Sequence, residues 1–246
     1  MPAWHETFFE GLYGRVLGGQ FDAPASREQA RLVKRLLAVR RGARVLDIPC
    51  GQGRLTVPLA EMGLDITGLD RTAVYVRKAR RAAREAGVKA RFICGDMRTI
   101  AYDGAFDAAF NWFSSWGYFS DADNAAVLER IREALRPGGR FLLDTLNKSW
   151  LLANFRPTFH HRFGGVAVEI HNRWLPDVGR MRSDWTFRRG RAVERHRVNL
   201  RLVNGTELRR VLRAAGFREV TLYGWPPLGR LTRHSHRVIA VARRPR

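Results

Sequence analysis

Residues 43–145 alternate between short apolar runs and stretches with apolar residues at helical spacing. Runs of strand length fall at residues 43–48, 65–69, 90–94, 105–111 and 139–145. Helical spacing lies between them, at residues 54–62, 72–86 and 121–136. Buried strands that alternate with helices predict βαβ units and a parallel sheet. Connection rules then favour an α/β fold in which helices cover both faces of a doubly wound, Rossmann-like sheet.

The same helical spacing predicts two helices ahead of this core. The first covers residues 5–17 and is expected to end at Gly18-Gly19. The second begins near Ser26, a candidate N-cap, and reaches about Arg40. We expect residues 1–42, which hold both helices, to form a lid over the core.

The pattern changes where the α/β core, residues 43–148, ends. Residues 158–203 alternate or are rich in β-branched and aromatic residues, and glycine-containing turns separate the runs. This pattern predicts an antiparallel β insertion at residues 149–205, on the substrate side of the core.

Residues 206–246 are expected to complete the core. A helix is predicted at 206–215, with Thr206 or Asn204 as its cap and Gly216 as its stop. Two further strand patterns, at 217–223 and 236–242, bring the predicted sheet to seven mostly parallel strands.

The composition is that of a globular protein, with 45% hydrophobic and 27% charged residues among 246. The first ten residues lack the basic and apolar segments of a signal peptide, and no apolar run approaches the roughly 20 residues of a membrane span. Cys50 and Cys94 have no metal-type spacing, so we expect neither a disulfide framework nor a metal site. These features predict a cytoplasmic protein with no membrane partner.

The positive charge is concentrated in one part of the chain. The formal net charge is +21, and residues 151–246 hold 21 arginines against six acidic residues. Such asymmetry is typical of a polyanion-binding face or of a protein with anionic small substrates. A general preference for arginine is the alternative, since the whole chain has only four lysines.

The strongest chemical signal lies at residues 45–53, Val-Leu-Asp-Ile-Pro-Cys-Gly-Gln-Gly. A buried strand ends at Asp47, and Gly51 and Gly53 follow ahead of a helical pattern. Glycines are needed where a backbone turns sharply and lets a ligand approach its N–H groups. A following helix adds N–H groups and the positive end of its dipole. The segment therefore predicts a cradle for part of a nucleotide-like cofactor.

Two features distinguish the kind of cofactor. The dinucleotide fingerprint requires a third glycine, and Thr56 stands in its place. Asp47 puts a carboxylate in the cradle, where it would repel a pyrophosphate and favour a sulfonium cofactor with an ammonium group. Asp70, at the end of the next strand, can accept two hydrogen bonds from ribose hydroxyls in either class.

With these residues the chain resembles the class I S-adenosylmethionine-dependent methyltransferases, in a small-molecule subgroup with a β insertion before the last helix. The resemblance covers about residues 40–148, and its motifs are Asp47–Gly53, Gly68–Asp70, Gly95–Met97 and Leu135–Leu142. It implies S-adenosyl-L-methionine as the cofactor, S-adenosyl-L-homocysteine as its product, and a methyltransferase activity.

The resemblance also implies roles for the cradle residues. Gly51 and Gly53 would let backbone N–H groups approach the methionyl part of the cofactor. Asp47 would hold the loop or the ammonium group, and Asp70 would accept from both ribose hydroxyls.

Further cofactor contacts are expected from the next strand ends and from the lid. Asp96 would accept from the adenine amino group and Met97 would pack on the ring, with a turn cap and core packing as their respective alternatives. Asn111 could meet the methionyl group, and Tyr13 could reach the cofactor from the first helix.

The loop after the fourth strand, Asn111 to Phe119, is expected to face the substrate, because ligands bind outside the carboxyl ends of parallel strands. Trp112, Trp116 and Tyr118 could wall the methyl-transfer site, with Trp4 above them from the lid. The alternative is that these aromatic side chains simply cover the end of the sheet.

A general base is required only if the acceptor loses a proton at or before methyl transfer. Tyr118 is one weak candidate, and His196 is another among several histidines. The histidines considered are His160, His161, His171, His196, His234 and His236. No spacing rule singles one out, so the base is not assigned from the sequence.

The insertion is where substrate choice is expected to reside. Arg173, Trp174, Arg182 and Trp185 could hold an anionic or aromatic small-molecule acceptor, or could lie on a solvated strand face. Insertions of this kind also form dimer contacts, so a homodimer is an option.

The primary prediction is methyl transfer to an O, N or C nucleophile of a small molecule. The main alternative is an RNA (tRNA) methyltransferase whose arginine-rich C-terminal half binds phosphates. A third option is a cofactor-binding or RNA-binding protein without catalysis.

Overall fold

The computed structural model describes residues 3–17 and 22–246. The helices are α1 (Trp4–Thr7), α2 (Gly11–Leu17), α3 (Ala23–Leu37), α4 (Thr56–Glu61), α5 (Ala73–Glu85), α6 (Asp121–Ala134), α7 (Lys148–Ala153) and α8 (Gly205–Ala214). The strands of the core are β1 (Arg44–Asp47), β2 (Asp65–Asp70), β3 (Arg91–Cys94), β4 (Phe106–Asn111), β5 (Leu135–Leu146), β10 (Arg218–Trp225), β11 (Gly229–Arg230) and β12 (Arg237–Arg243). The strands of the insertion are β6 (Thr158–Phe163), β7 (Val166–Leu175), β8 (Arg180–Arg189) and β9 (Ala192–Arg201).

The core strands form one sheet in the order β11-β10-β12-β5-β4-β1-β2-β3. Strands β5, β4, β1, β2 and β3 are parallel, whereas β12 and β10 run antiparallel to their neighbours. The α/β fold with a mainly parallel sheet is thus confirmed. The strand count differs from the expected seven because the two-residue strand β11 adds an edge to β10.

Two apolar layers sandwich the sheet, as a doubly wound fold requires. Helices α3 and α4 pack on one face through Val33, Leu37 and Leu59, which are fully or almost fully buried. Helices α6 and α8 pack on the other face, where Leu128 and Leu212 are fully buried. Both layers contain residues of the central strands β1 and β4. The helices cover the faces of these strands and leave their carboxyl ends uncovered.

The insertion forms a separate antiparallel sheet in the order β6-β7-β8-β9. Because side chains alternate along a strand, one face of this sheet is apolar and the other polar. Val168 and Phe187, which are paired across β7 and β8, belong to the apolar face. They pack against Phe8 and Leu12 of the N-terminal segment and form a second, smaller core.

Several element ends differ from the sequence expectations. The first helix is interrupted, because Gly11 adopts a φ of +66° and divides it into α1 and α2. The N-cap of α3 is Asp22 instead of Ser26, since the Asp22 carboxylate accepts from the Ala25 N–H at 2.7 Å. Asn204 caps α8. The expected helix stop at Gly18-Gly19 lies outside the described residues.

None of the helices in the described part of the chain is both long and apolar enough to cross a membrane.

Candidate functional site

A cavity of about 640 Å³ lies at the carboxyl ends of the parallel strands. Its floor consists of the segments that follow β1, β2, β3 and β4. Its cover, which we call the roof, comes from the N-terminal segment and from the insertion strands β8 and β9. The roof residues are Trp4, Phe8, Phe9, Tyr13, Trp185, Val198 and Leu200. The cavity therefore lies between the two apolar cores of the molecule.

The two glycines of the first motif have different roles. Gly51 has a φ of +55°, lines the cavity, and has no atom within 4 Å of the place where a Cβ would stand. Gly53 has a φ of +81°, and a Cβ there would lie 3.0 Å from the Cβ of Ala79 on α5. Gly53 is absent from the cavity lining among the described residues, so it serves the close packing of the turn, whereas Gly51 gives a ligand access to the backbone.

Asp47 lies at the end of β1 and is almost fully buried. One of its carboxylate oxygens accepts a hydrogen bond from the Thr56 hydroxyl at 2.6 Å. Burial, helped by the nearby Asp70 charge, raises the pKa of Asp47 to about 8, although the hydrogen bond from Thr56 and the charge of Arg54 lower it. A ligand that brings positive charge to this carboxyl would favour its ionised form.

Asp70 lies at the end of β2 and lines the same cavity. Its two oxygens each accept one backbone hydrogen bond, from Gly51 and Thr72, both at 2.8 Å. Burial raises the pKa of Asp70 against these bonds. Each oxygen retains a second lone pair, so this carboxylate can still accept from a diol.

Asp96 and Met97 follow β3 and also line the cavity. The Asp96 carboxylate accepts from Arg98, with an Nη2–Oδ2 distance of 2.7 Å, and lies 3.9 Å from Arg71. Burial alone would raise the pKa of Asp96, but hydrogen bonds from Arg98 and the charges of both arginines lower it. Asp96 is thus a fixed carboxylate at the β3 end of the cavity.

The N-terminal helix is tied to this end of the cavity. Arg71 donates to the Glu6 carboxylate at 2.8 Å and lies 3.4 Å from the Nδ1 atom of His5. The ring of His5 meets that of Phe119 edge-on at 4.8 Å. The sequence reasoning missed His5 and Arg71, although Arg71 directly follows the acid that ends β2.

Aromatic rings of the roof and the floor meet above the centre of the cavity. Tyr118 lies 4.9 Å from Trp4 and 5.6 Å from Phe9 between ring centroids. Tyr13 lies 4.2 Å from Phe8 and 6.0 Å from Trp185. Burial raises the pKa of Tyr118 to about 12, so its hydroxyl stays protonated at neutral pH.

Asn111 and Trp116 do not line the cavity among the described residues. The Asn111 amide donates to the Ile48 carbonyl at 2.8 Å and accepts from the Trp116 N–H at 3.1 Å. The Trp116 indole is buried in the core below and donates to the Asn124 carbonyl. Both side chains therefore shape the loop, whereas Trp112 of the same loop does line the cavity.

A buried ion pair that the sequence reasoning missed supports the same loop. Arg237 donates to both oxygens of Asp144 at 2.7 Å, and to the Ser114 hydroxyl at 2.8 Å. Asp144 also accepts from the Phe113 N–H at 2.9 Å. Phe113 and Ser114 have φ angles of 68° and 63°. The sequence does contain a signal for this pair, because Asp144 is an acid within an apolar strand, and a buried acid needs a partner of opposite charge.

The histidine candidates separate by position. His196 pairs with Trp185 across β8 and β9, and its side chain packs against Phe8 and Phe187 without lining the cavity. His236 lines the cavity at the start of β12. Burial lowers the pKa of His236, and the charge of Arg237 lowers it further, so its ring is neutral at pH 7.

The insertion residues expected to grip an acceptor are divided between the two faces of the sheet. Trp185 faces the cavity and lines it. Arg173 and Arg182, which are paired across β7 and β8, lie on the opposite face. Trp174 lies on the cavity-side face but outside the lining. The expectation that these arginines reach the acceptor does not agree with the strand register, because alternation directs them away from the cavity.

Residues 45–139 match the family model described as a methyltransferase domain. A ubiquinone biosynthesis O-methyltransferase of Idiomarina loihiensis is 28% identical over 187 residues, which are 74% of this chain and 65% of that protein. A glycine/sarcosine N-methyltransferase of Halorhodospira halochloris is 28% identical over 75% of this chain and 69% of that protein. The chain spans about half the length of several other ubiquinone biosynthesis O-methyltransferases that it matches.

Solved structures share the fold over nearly the whole chain. The CcbJ methyltransferase of Streptomyces caelestis superposes with a TM-score of 0.81 at 18% identity, covering 98% of this chain and 99% of that one. An amino pentose methyltransferase from Micromonospora echinaspora, solved with S-adenosylmethionine bound, gives 0.68 at 24% identity, covering 96% and 97%. Residues 45–139 therefore match a methyltransferase domain, and the chain shares its fold with S-adenosylmethionine-dependent methyltransferases of known structure.

Proposed function

We propose that this protein transfers a methyl group from S-adenosylmethionine to a small molecule held under the roof. The observation that carries the proposal is the convergence of Asp47, Gly51, Asp70 and Asp96 in one cavity closed by aromatic rings. An RNA methyltransferase is less well supported, because the roof encloses the site and the sheet arginines face away from it. The small-molecule relatives agree with this preference.

The cavity residues fit the cofactor. Asp70 has free lone pairs for the two ribose hydroxyls, and Asp96 holds acceptor oxygens next to the place for an adenine ring. The open space at Gly51 suits a methionyl chain that approaches the backbone. Asp47 matches an ammonium group, because its raised pKa falls when a positive charge comes close.

The cofactor supplies an electrophilic methyl group on a sulfonium. The protein has to align the acceptor with it and keep water out, since methyl transfer depends largely on positioning. The rings of Trp4, Phe8, Tyr13 and Trp185 in the roof do both together with that of Tyr118 in the floor, because these rings enclose the cavity. We assign residues 1–42 the role of a lid, which the contact between Glu6 and Arg71 holds in place.

The acceptor has its place over β4, β5 and β12. Asp70 and Asp96 mark β2 and β3 as the adenosine end, and β12 lies three strands beyond β1 on the other side. Strand spacing makes that distance about 14 Å. His236 lies at this end and is neutral at pH 7, so it is the residue we propose to take a proton from the acceptor, in place of Tyr118 or His196.

The acceptor class we propose is a small aromatic compound with a hydroxyl or amine nucleophile. Trp112, Phe113 and Trp185 offer flat apolar surfaces, and Ser115 and His236 offer polar contacts. Arg237 does not act as a free cation for an anionic group, because Asp144 neutralises it.

Calorimetry with S-adenosylhomocysteine tests the cofactor site. We expect binding by the wild-type protein and a loss of at least about tenfold in affinity for Asp70→Ala, because a charge-assisted contact to a ligand hydroxyl is worth about 1.5–3 kcal/mol. Asp65→Ala, at the opposite end of β2, is the control and should bind normally. The proposal fails if the wild-type protein does not bind or if both variants bind equally.

Transfer of a labelled methyl group to a panel of acceptors tests the substrate class. The panel holds ortho-dihydroxy aromatic compounds without an acidic group on one side and glycine and sarcosine on the other. We expect turnover of the aromatic compounds, with a rate that rises with pH through the lowered pKa of His236 and no such rise in His236→Gln. Turnover of the amino acids alone would contradict the proposed class.

A further inference from the structure

The polar face of the insertion sheet is strongly basic. We call it the outer face, because it points away from the cavity, and its arginines are Arg162, Arg173, Arg180, Arg182, Arg188, Arg195, Arg197 and Arg201. Two carboxylates lie among them. Asp184 is bonded to Arg197 at 2.7 Å, and Glu169 contacts His171 at 2.9 Å and Arg188 at 4.0 Å. The outer face therefore keeps a net positive charge after its internal pairs are formed.

The centre of the outer face holds a like-charge pair. Arg173 and Arg182 stand directly opposite each other on β7 and β8, and the next residue in the row is Asn199. Like charges at directly opposite positions destabilise a sheet. The buried Nε atom of Arg182 and the buried Oδ1 atom of Asn199 have no hydrogen-bond partner within the described residues. An anion between the two arginine side chains would relieve the like-charge pair and accept from the Nε atom of Arg182, and a hydroxyl beside it could donate to the Oδ1 atom of Asn199.

The composition of the outer face favours a nucleic acid over a protein. Protein interfaces depend on buried aromatic or aliphatic anchors, and within the described strands this face offers only Ala167, Leu175 and Val193 as apolar residues. Phenylalanine, tyrosine and tryptophan rings, on which unpaired bases stack, are absent from the same positions of the face, whose aromatic side chains are those of His160 and His171. Phosphates remain as the ligands that a group of arginines holds well, since each guanidinium can bind one with two hydrogen bonds.

The shape of the outer face favours an A-form duplex. Four strands span about 14 Å, and the ten-residue strand β8 is about 33 Å long. The major groove of B-DNA, about 12 Å wide, admits a helix or a two-stranded ribbon. The minor groove of A-form RNA is wide and shallow, and it presents phosphates and 2′-hydroxyls to a flat surface. Thr186 and Asn199 lie among the arginines and can bond such hydroxyls.

We propose that the outer face binds double-stranded RNA through its phosphates, without sequence preference. The sheet separates this RNA from the cavity, so the RNA is a binding partner and not the methyl acceptor. The proposal is independent of the proposed function, and it gives part of the +21 charge a location and a role.

Fluorescence anisotropy with a labelled 20-base-pair RNA duplex tests the proposal on the full chain. The test variant is Arg173→Gln/Arg182→Gln. The matched control, Arg209→Gln/Arg210→Gln, removes two exposed charges from α8. Between about 50 and 200 mM salt we expect the test variant to bind at least about tenfold more weakly, with a salt slope smaller by about two. The control should bind like the wild-type protein, and a DNA duplex of the same sequence should bind more weakly.

Equal weakening in the control would overturn the proposal, because the binding would then follow net charge alone. Tighter binding to the DNA duplex, or unchanged binding in the test variant, would also overturn it. Loss of the like-charge pair should leave the melting temperature unchanged or raise it. If that variant does not fold, Arg188→Gln/Arg195→Gln on the same face replaces it. Binding of S-adenosylhomocysteine should persist in every variant, which keeps this test separate from that of the proposed function.

Discussion

At the scale of single residues, Asp47 shows how burial and function meet in one carboxyl group. Its burial raises its pKa from 3.8 to about 8. Burial of this carboxyl destabilises the folded protein without ligand, because the one hydrogen bond from Thr56 does not offset the loss of hydration. A cationic group of a ligand would stabilise the ionised carboxylate and so offset this loss. The residue is therefore more consistent with a ligand contact than with a role in stabilising the empty fold.

The stability of the protein should depend on pH through Asp47. Between pH 3.8 and about 8 the unfolded chain has lost the Asp47 proton while the folded chain keeps it. The free energy of unfolding therefore decreases as the pH rises through this window, by up to about 1.4 kcal/mol per pH unit from this group. Asp47→Asn cannot ionise, so its stability should fall less steeply with pH.

Urea denaturation of both proteins at several pH values between 5 and about 8 measures this difference. The shift of Asp96 is common to both proteins and cancels in the comparison. Parallel curves for the wild-type protein and Asp47→Asn would show that Asp47 is ionised throughout, which contradicts the raised pKa.

The cavity-lining residues that follow the first three strands were predictable from the sequence. Asp47, Gly51, Asp70, Asp96 and Met97 were all expected on the cavity side, and each lines the cavity. These residues follow strand ends, and the carboxyl edge of a parallel sheet brings strand ends together.

Asn111 and Trp116 show the limit of that reasoning. They follow a strand end as well, but they turn inward and hold the loop. The direction of a side chain within a loop depends on backbone angles that residue type alone does not determine. His5 and Arg237 were missed for a different reason, because each reaches the cavity from a part of the chain that is distant in sequence from the motifs.

At the scale of elements, the insertion was predictable as a sheet but not in the use of its faces. The alternation from Val166 to Val203 predicted antiparallel strands, which formed. The lid covers one face of this sheet, and only arginines on that face could reach the acceptor. The lid packs on the face that holds Val168 and Phe187, through Phe8, so Arg173 and Arg182 lie on the opposite face of the sheet.

The loop after β4 depends on the ion pair below it. Phe113 and Ser114 hold left-handed angles that cost about 1–3 kcal/mol each. Asp144 and Arg237 offset that cost through their bonds to this backbone and to the Ser114 hydroxyl. Arg237→Met should destabilise the fold by about 3–5 kcal/mol, since it leaves the Asp144 charge buried without its partner.

The double variant Asp144→Leu/Arg237→Met separates stability from loop position. It removes both charges, so it should recover most of the stability that Arg237→Met loses. The loop loses its anchor in both variants, so the affinity for S-adenosylhomocysteine should stay low. Denaturation and calorimetry on the same samples measure the two effects. Full recovery of affinity in the double variant would show that the ion pair has no role in loop position.

At the scale of the whole molecule, the cavity lies between the two apolar cores. The larger core surrounds the central sheet, and the smaller one joins the N-terminal segment to the insertion. A ligand in the cavity contacts both. Its binding energy should therefore stabilise the smaller core as well as the sheet that carries the motifs.

S-adenosylhomocysteine at about 100 times its dissociation constant should stabilise the folded protein by about 2.7 kcal/mol. For a chain of this length that corresponds to a rise in melting temperature of about 5–11 °C. Hydrogen exchange of the backbone amides should slow in α1, α2 and β9, because the roof closes over the ligand. Glu6→Gln weakens the bond to Arg71, so it should keep much of the temperature shift but show less protection in α1. A full temperature shift without protection of the roof in the wild-type protein would mean that the roof is rigid in the absence of ligand. In that case the cavity exchanges its ligands by a route that does not involve the N-terminal helices.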